Sequence, residues 1–209
     1  ALRLLKHLLN PREFWGESVL PTIARDDTAF KDQGAWRGAI QPVANYLVYQ
    51  GLKAYAFDAV ATEFAEKSAA LFMRSWDNFQ LSPESFDARS GDAEGDRFAV
   101  RGPLFALPAL EDLLDFTPWE GFRFGVLSPA RKGRLVRVSI QGRRYDVIAS
   151  DSETTLIEEG RTLIEADGGA VFRHFLYSEG EVSFEIKSLE AREIEIELPQ
   201  KGKYQLSID

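Results

Sequence analysis

The stretch Val43-Ala44-Asn45-Tyr46-Leu47-Val48-Tyr49-Gln50-Gly51-Leu52-Lys53-Ala54-Tyr55-Ala56-Phe57 is the segment from which the first half of the chain is read. Val43, Leu47, Val48, Leu52 and Tyr55 recur at spacings of three and four, which lines them along one broad helical face. Tyr46 and Tyr49 extend the apolar character to most sides, the signature of a helix buried all round. Asp58 then reads as an N-cap, and Val60, Phe64, Leu71, Phe72, Trp76 and Phe79 form a second stripe. The two helices are expected to pair as an antiparallel hairpin.

Working outward, Leu2, Leu5, Leu8 and Leu9 fall at helical spacing and read as a cut-off amphipathic helix. Leu107, Leu110, Leu113 and Leu114 predict a third helix over roughly 104–115. Between them, residues 81–101 hold Ser82, Pro83, Ser90, Gly91, Asp92, Gly95 and Asp96, a loop too long to be a mere connector. After Thr117 and Pro118 the period changes to two. Strands are expected at 135–140, 143–149, 154–158, 170–177, 181–187, 193–198 and 204–208. Gln141-Gly142, Glu159-Gly160, Asp167-Gly168 and Glu179-Gly180 punctuate them. The glutamates of Glu193-Ile194-Glu195-Ile196-Glu197 read as a solvated strand face rather than a metal site. The chain is thus read as α+β, with a helical domain at 1–116 and a small antiparallel β-sandwich at 117–209.

Composition closes several functional classes. With 209 residues, 44% of them hydrophobic, the chain can bury a core. A net charge of -8 argues against nucleic acid, which requires a clustered basic face. The tightest basic group, Arg131, Lys132 and Arg134, reads as a solvated hairpin tip around Gly133. There is no cysteine, hence no disulfide framework, thiolate zinc site or cysteine nucleophile. No apolar run reaches the eighteen residues of a spanning helix, and Ala1–Leu9 lacks the features of a signal peptide. The expectation is a soluble protein, its location undetermined with the cytoplasm favoured, without cofactor, metal or membrane partner.

Four clusters carry the candidate chemistry. They are Ile23-Ala24-Arg25-Asp26-Asp27 with Asp32, then Trp36-Arg37-Gly38, then Asn45-Tyr46, and finally Pro83-Glu84-Ser85-Phe86-Asp87. Aromatic rings that stack on C–H faces, together with arginine, asparagine and carboxylate groups that chelate hydroxyls, are the parts of a sugar site. Each cluster taken alone is also compatible with helix capping or ordinary core.

Their order along the chain adds to this reading. Leu9 to Gly16, Ile23 to Asp27, Trp36-Arg37-Gly38-Ala39-Ile40, Asn45-Tyr46-Leu47 and Glu84 to Gly91 resemble glycoside hydrolase family 63 and its mannosylglycerate hydrolase-like members. Pro118-Trp119-Glu120-Gly121-Phe122-Arg123-Phe124-Gly125 is similar to the start of that family's C-terminal β region. The resemblance implies the C-terminal portion of an (α/α)6 helical barrel followed by the β-domain. It implies an inverting hydrolase of α-linked glucosides or mannosides, with Glu84 as general base. Trp36, Arg37, Gly38, Asn45, Tyr46 and Asp87 are then expected to bind substrate. The acid, which inversion places about 6.5–9.5 Å from the base, is an upstream aspartate in the family, and Trp76-Asp77-Asn78 does not supply it. Ala39 and Gln41 replace a proline and a tryptophan, and Val100-Arg101-Gly102 replaces an aromatic stretch, so two stacking platforms are missing. Arg101 is a candidate for binding substrate carboxylates, or else a surface arginine.

Two readings follow. In one, the chain is the C-terminal part of a longer glycosidase, inactive alone, whose helical half meets an upstream part of the same enzyme or self-associates. In the other, it is a non-catalytic carbohydrate-binding or protein-interaction module.

Overall fold

The computed structural model describes residues 1–32, 34, 36–127 and 132–208. The chain divides into two compact units, Ala1–Glu111 and Asp112–Asp209. Arg131, of the expected basic hairpin tip, lies outside the described residues, and Gly133 opens a strand rather than a turn.

The first unit is built on two helices. α1 spans Leu2–Leu8, α2 Pro42–Ala54 and α3 Asp58–Phe79, with α4 following at Leu107–Leu113. Pro42 stands at the start of α2, where its missing N–H leaves no helical bond unmade. Asp58 is the first residue of α3 and not its cap, which is Phe57 with no side-chain cap bond. The Asp58 charge still complements the positive end of the helix. Gln80 ends α3 in the left-handed region at φ 54, its backbone N–H returning to Trp76 at 2.8 Å.

Tyr49 and Leu52 of α2 meet Ala61, Phe64, Ala65 and Leu71 of α3 in one core, completed by Val19, Leu20, Ile40, Phe86 and Phe105 from irregular segments. The Tyr49 and Phe64 rings stack at 6.4 Å, and Phe86 meets Phe105 edge-on at 5.1 Å. Leu47 and Tyr55 are exposed, so α2 is not buried all round. Within the long loop, β1 (Ser85–Phe86) and β2 (Ala93–Glu94) pair as a short antiparallel ribbon.

The expectation of an (α/α)6 barrel portion followed by a sandwich is corrected here. Among the described residues there are four α-helices and three antiparallel sheets, no helical barrel, and more strand than helix. α1 and α4 have seven residues each, about 10 Å of helix, too little to form barrel staves. The long helices of the first unit are covered instead by loop residues of their own chain.

In the second unit, β3 (Leu114–Thr117), β4 (Gly121–Phe124), β9 (Ala170–Tyr177) and β10 (Val182–Ser188) form one sheet in the order β10-β9-β4-β3. A second sheet takes the order β11-β8-β7-β6-β5, from β5 (Gly133–Ile140), β6 (Arg143–Ala149), β7 (Thr154–Glu158), β8 (Arg161–Ala166) and β11 (Ile194–Ile196). The segment 204–208, expected as a strand, forms none. The helix expected over 104–115 gives way at Leu114 to β3. Gln141 and Gly142 have φ of 50 and 80, and Glu159 and Gly160 of 48 and 82, so both hairpins close through the positive-φ turn that matches strand twist. Both sheets feed one core, in which Phe124 stacks on Phe172 at 4.8 Å and meets Phe175 edge-on at 5.6 Å.

The Pro118–Gly125 motif is explained by this packing. A Cβ on Gly121 would come within 2.5 Å of the Phe175 carbonyl oxygen, and one on Gly125 would overlap that of Ala170. Arg123 donates to the Asp112 backbone oxygen at 3.0 Å and to its buried carboxylate at 3.3 Å. Gly125→Ala is therefore expected to destabilise the second unit by at least the ~1–3 kcal/mol of a forced left-handed residue. Denaturant unfolding of the variant checks this, since a cost within a few tenths would show that the Ala170 backbone can withdraw.

Candidate functional site

Glu84 lies just ahead of β1, between two backbone connections that fix it. On one side Ile40 and Phe86 exchange backbone bonds, Ile40 N–H to Phe86 O at 2.8 Å and Phe86 N–H to Ile40 O at 3.1 Å. This laces the Trp36–Ile40 segment to the glutamate loop. On the other side Ser82 donates to Arg97 O at 2.9 Å and accepts from Ala99 N–H at 2.8 Å, which lays the 97–101 segment along Ser82. The structure thus brings Trp36–Gly38, Glu84, Asp87 and Arg101 onto one set of interlocked loops.

The Glu84 carboxylate, about one-third exposed, accepts from Arg101 Nη2 at 3.2 Å through Oε1. Its Oε2 lies over Gly95, where a Cβ would come within 2.8 Å of both Oε2 and the glutamate Cβ. Gly95 also has a φ of +77, so the loop requires glycine there on two counts. Asp87 turns the ribbon: its Oδ1 accepts from Arg89 N–H at 2.7 Å and Ser90 N–H at 2.8 Å. Burial pushes the Asp87 carboxyl up, but the Ser90 and Arg89 bonds and the Arg89 charge outweigh it and hold the carboxyl below the usual range. Glu94, on β2, is shifted upward, first by partial desolvation and then by the Asp87 charge.

Two arginines staple this ribbon. Arg74 of α3 donates to Gly91 O at 2.6 Å, and Arg89 donates to Phe30 O at 3.0 Å and Lys31 O at 2.9 Å. Neither was a candidate from sequence, because each acts on a carbonyl distant along the chain and no local pattern marks it.

Trp36 is 58% exposed, beside Gly34 and Arg37, which exchange backbone bonds of 2.9 and 2.8 Å. Arg37 is exposed and its Nε reaches Asp32 O at 2.9 Å. Gly38, at φ 96, donates its N–H to the Thr22 hydroxyl at 2.9 Å. Asn45 and Tyr46 are placed differently. The Asn45 amide is buried and spans Leu20 N–H at 2.9 Å, Leu20 O at 3.0 Å and Gln41 O at 2.9 Å. Its side chain works as a latch on the loop before α2. The Tyr46 hydroxyl donates to Glu111 Oε1 at 2.6 Å, with Gln50 and Lys53 on Oε2 at 2.6 and 2.9 Å. Asp26 is exposed, and Asp27 Oδ1 caps the short turn at Thr28–Lys31 through Ala29 N–H at 2.8 Å.

Among the described residues no group of three or more His, Cys, Asp or Glu could hold a metal ion. Nor is any helix long and apolar enough to cross a membrane.

Comparison with known proteins relates the first unit to a family. Residues 1–100 match the model of the mannosylglycerate hydrolase MGH1-like glycoside hydrolase domain. No curated protein matches the chain. A crystal structure of an uncharacterized conserved protein from Thermus thermophilus is similar at 22% identity and a TM-score of 0.43, over 51% of this chain and 26% of that one. This chain therefore spans about a quarter of the length of that protein. The first 100 residues of this chain are thus similar to a mannosylglycerate hydrolase MGH1-like glycoside hydrolase domain.

Proposed function

We propose that the first unit supplies the general base of an inverting α-glycosidase, acting on α-linked glucosides or mannosides, and that Glu84 is that base. The observation that carries this is the placement of Glu84. It is a partly exposed carboxylate on a loop bonded through Ile40 and Phe86 to the Trp36–Gly38 segment, with Arg101 on one oxygen and Gly95 clearing space for the other. Arg101 fixes Oε1, and Oε2 is the oxygen that takes a proton from the attacking water. That water adds to the anomeric carbon as the C–O bond to the leaving group breaks on the opposite face. The departing oxygen needs a proton from a second carboxyl about 6.5–9.5 Å from the first. Asp87 holds backbone N–H groups and Asp27 caps a turn, so neither serves. The proton donor is proposed to come from another part of the enzyme to which this unit belongs.

The test is hydrolysis of 4-nitrophenyl α-D-mannopyranoside and α-D-glucopyranoside by the protein that carries this chain, with proton NMR of the sugar first released. Release of the β-anomer is expected. Release of the α-anomer, or no hydrolysis of either glycoside, overturns the proposal. A non-catalytic module has no specific observation in its favour beyond the exposed rings that a sugar-binding enzyme also needs.

A further inference from the structure

One of the two places where the sequence lacks a stacking ring, Gln41, is not a surface position in this structure. Ala39 and Gln41 are 0% and 1% exposed, so neither of these side chains faces a ligand. The 97–101 segment presents the opposite situation. It is pinned to the glutamate loop by the Ser82 bonds to Arg97 and Ala99, and Gly102 packs so closely that a Cβ would overlap the Ser82 hydroxyl. Its own apolar residues nevertheless face water: Phe98 is 69% exposed and Val100 96%. Phe98 sits directly opposite its bridge partner Ser82, which lies two residues ahead of Glu84, and Arg101 at the other end of the segment reaches the Glu84 carboxylate.

Phe98 is thus an exposed ring on a backbone that the Ser82 bonds hold in place, and it contributes nothing to the core. Phe98 lies three residues before Arg101, whose half-exposed guanidinium meets the partly exposed Glu84 carboxylate, and the segment so has the composition of a sugar-binding edge: a ring for the C–H face, and charged donor and acceptor groups for the hydroxyls. We propose that Phe98 is a sugar-stacking platform of this site and that Arg101 binds ring hydroxyls next to it. The segment 97–101 then determines which pyranose is held against Glu84. This inference rests on the proposed Glu84 site for its location, although binding at Phe98 does not require Glu84 to be a base.

The probes are methyl α-D-mannopyranoside and methyl α-D-glucopyranoside, followed by saturation-transfer NMR on the full chain. Saturation of the sugar C–H protons is expected with the unaltered chain, at the millimolar affinity usual for one monosaccharide. Phe98→Ala is expected to weaken binding roughly five- to tenfold, the loss of one ring contact. Phe98→Tyr keeps the ring and is expected to keep the affinity. Trp119→Ala removes an 80% exposed ring from the second unit and is expected to change nothing. Because Phe98 lies outside the core, circular dichroism of its alanine variant should be that of the parent. No saturation transfer to either sugar, equal binding by Phe98→Ala, or an equal loss on Trp119→Ala overturns the inference. Glu84→Gln separates the two proposals: binding that survives it while hydrolysis is lost supports both. Binding and hydrolysis that both survive leave the platform standing and remove the base.

Discussion

Glu84→Gln is expected to lower turnover by about two to four orders of magnitude, the range for removal of a general base. Glutamine is nearly isosteric, so its amide oxygen can still accept from Arg101 and its side chain still fits over Gly95. The fold around the loop is held by the Ile40–Phe86 backbone bonds and the Arg74 and Arg89 staples, none of which uses the glutamate side chain. The loss should therefore fall on kcat, with KM little changed. Asp87→Asn is the matched control, because an asparagine oxygen can still accept from Arg89 and Ser90 and cap the turn. It should remain within a few-fold of the parent. Near-normal turnover by Glu84→Gln, measured on the aryl glycosides, would remove Glu84 from the chemistry.

The second large effect concerns stability. Asp112 is fully buried and its carboxylate is held by Arg123, itself only 9% exposed at the side chain. Arg123→Met would remove this ion pair and is expected to destabilise the second unit by about 3–5 kcal/mol, the cost of breaking a buried pair at one end. The double change Arg123→Met with Asp112→Leu should recover most of this, because the buried carboxylate goes with its partner. Urea unfolding monitored in the second unit distinguishes the cases. Equal destabilisation by the single and double variants would show that the bond to the Asp112 backbone oxygen matters more than the charge pair.

Legibility differed along the chain for physical reasons. The strands at Arg143–Ala149, Thr154–Glu158 and Ala170–Tyr177 were readable with these bounds, because β-rich runs there end at dipeptides suited to tight turns. Arg161–Ala166 was not, since adjacent Leu163 and Ile164 break the period of two and both are buried. Leu114–Thr117 was hidden by a leucine run that fits a helix equally well, and the chain changes conformation inside it.

The barrel expectation came from the family resemblance rather than from local pattern. Whether the segments flanking α2 and α3 become staves or covering loops depends on what they pack against, which no local period encodes. In this chain Val19, Leu20, Phe86 and Phe105 bury themselves against the helix pair as loop residues.

At the site, the order of Trp36–Gly38 and Glu84–Asp87 was legible, and the structure brings those segments together. The duties of Asn45 and Tyr46 were not. The partners that occupy them, Leu20 and Glu111, lie 25 and 65 residues away. Arg101 reads in sequence as a binder of substrate carboxylates or a surface arginine, because Glu84, its partner, is 17 residues distant and meets it only when the 97–101 segment folds back along Ser82.

Azide rescue of Glu84→Ala tests the role of Glu84 most directly. Removing the side chain leaves no group to deprotonate water, but azide needs no deprotonation and fits the vacated space. It attacks the anomeric carbon while the 4-nitrophenolate leaves, so the requirement for a proton on the departing oxygen is small. The expected result is a variant of the protein carrying this chain that is inert on 4-nitrophenyl α-glycosides in buffer, and that releases 4-nitrophenolate with azide while forming the β-glycosyl azide. Full activity without azide, or formation of the α-glycosyl azide, would contradict the assignment of Glu84 as the base of an inverting reaction.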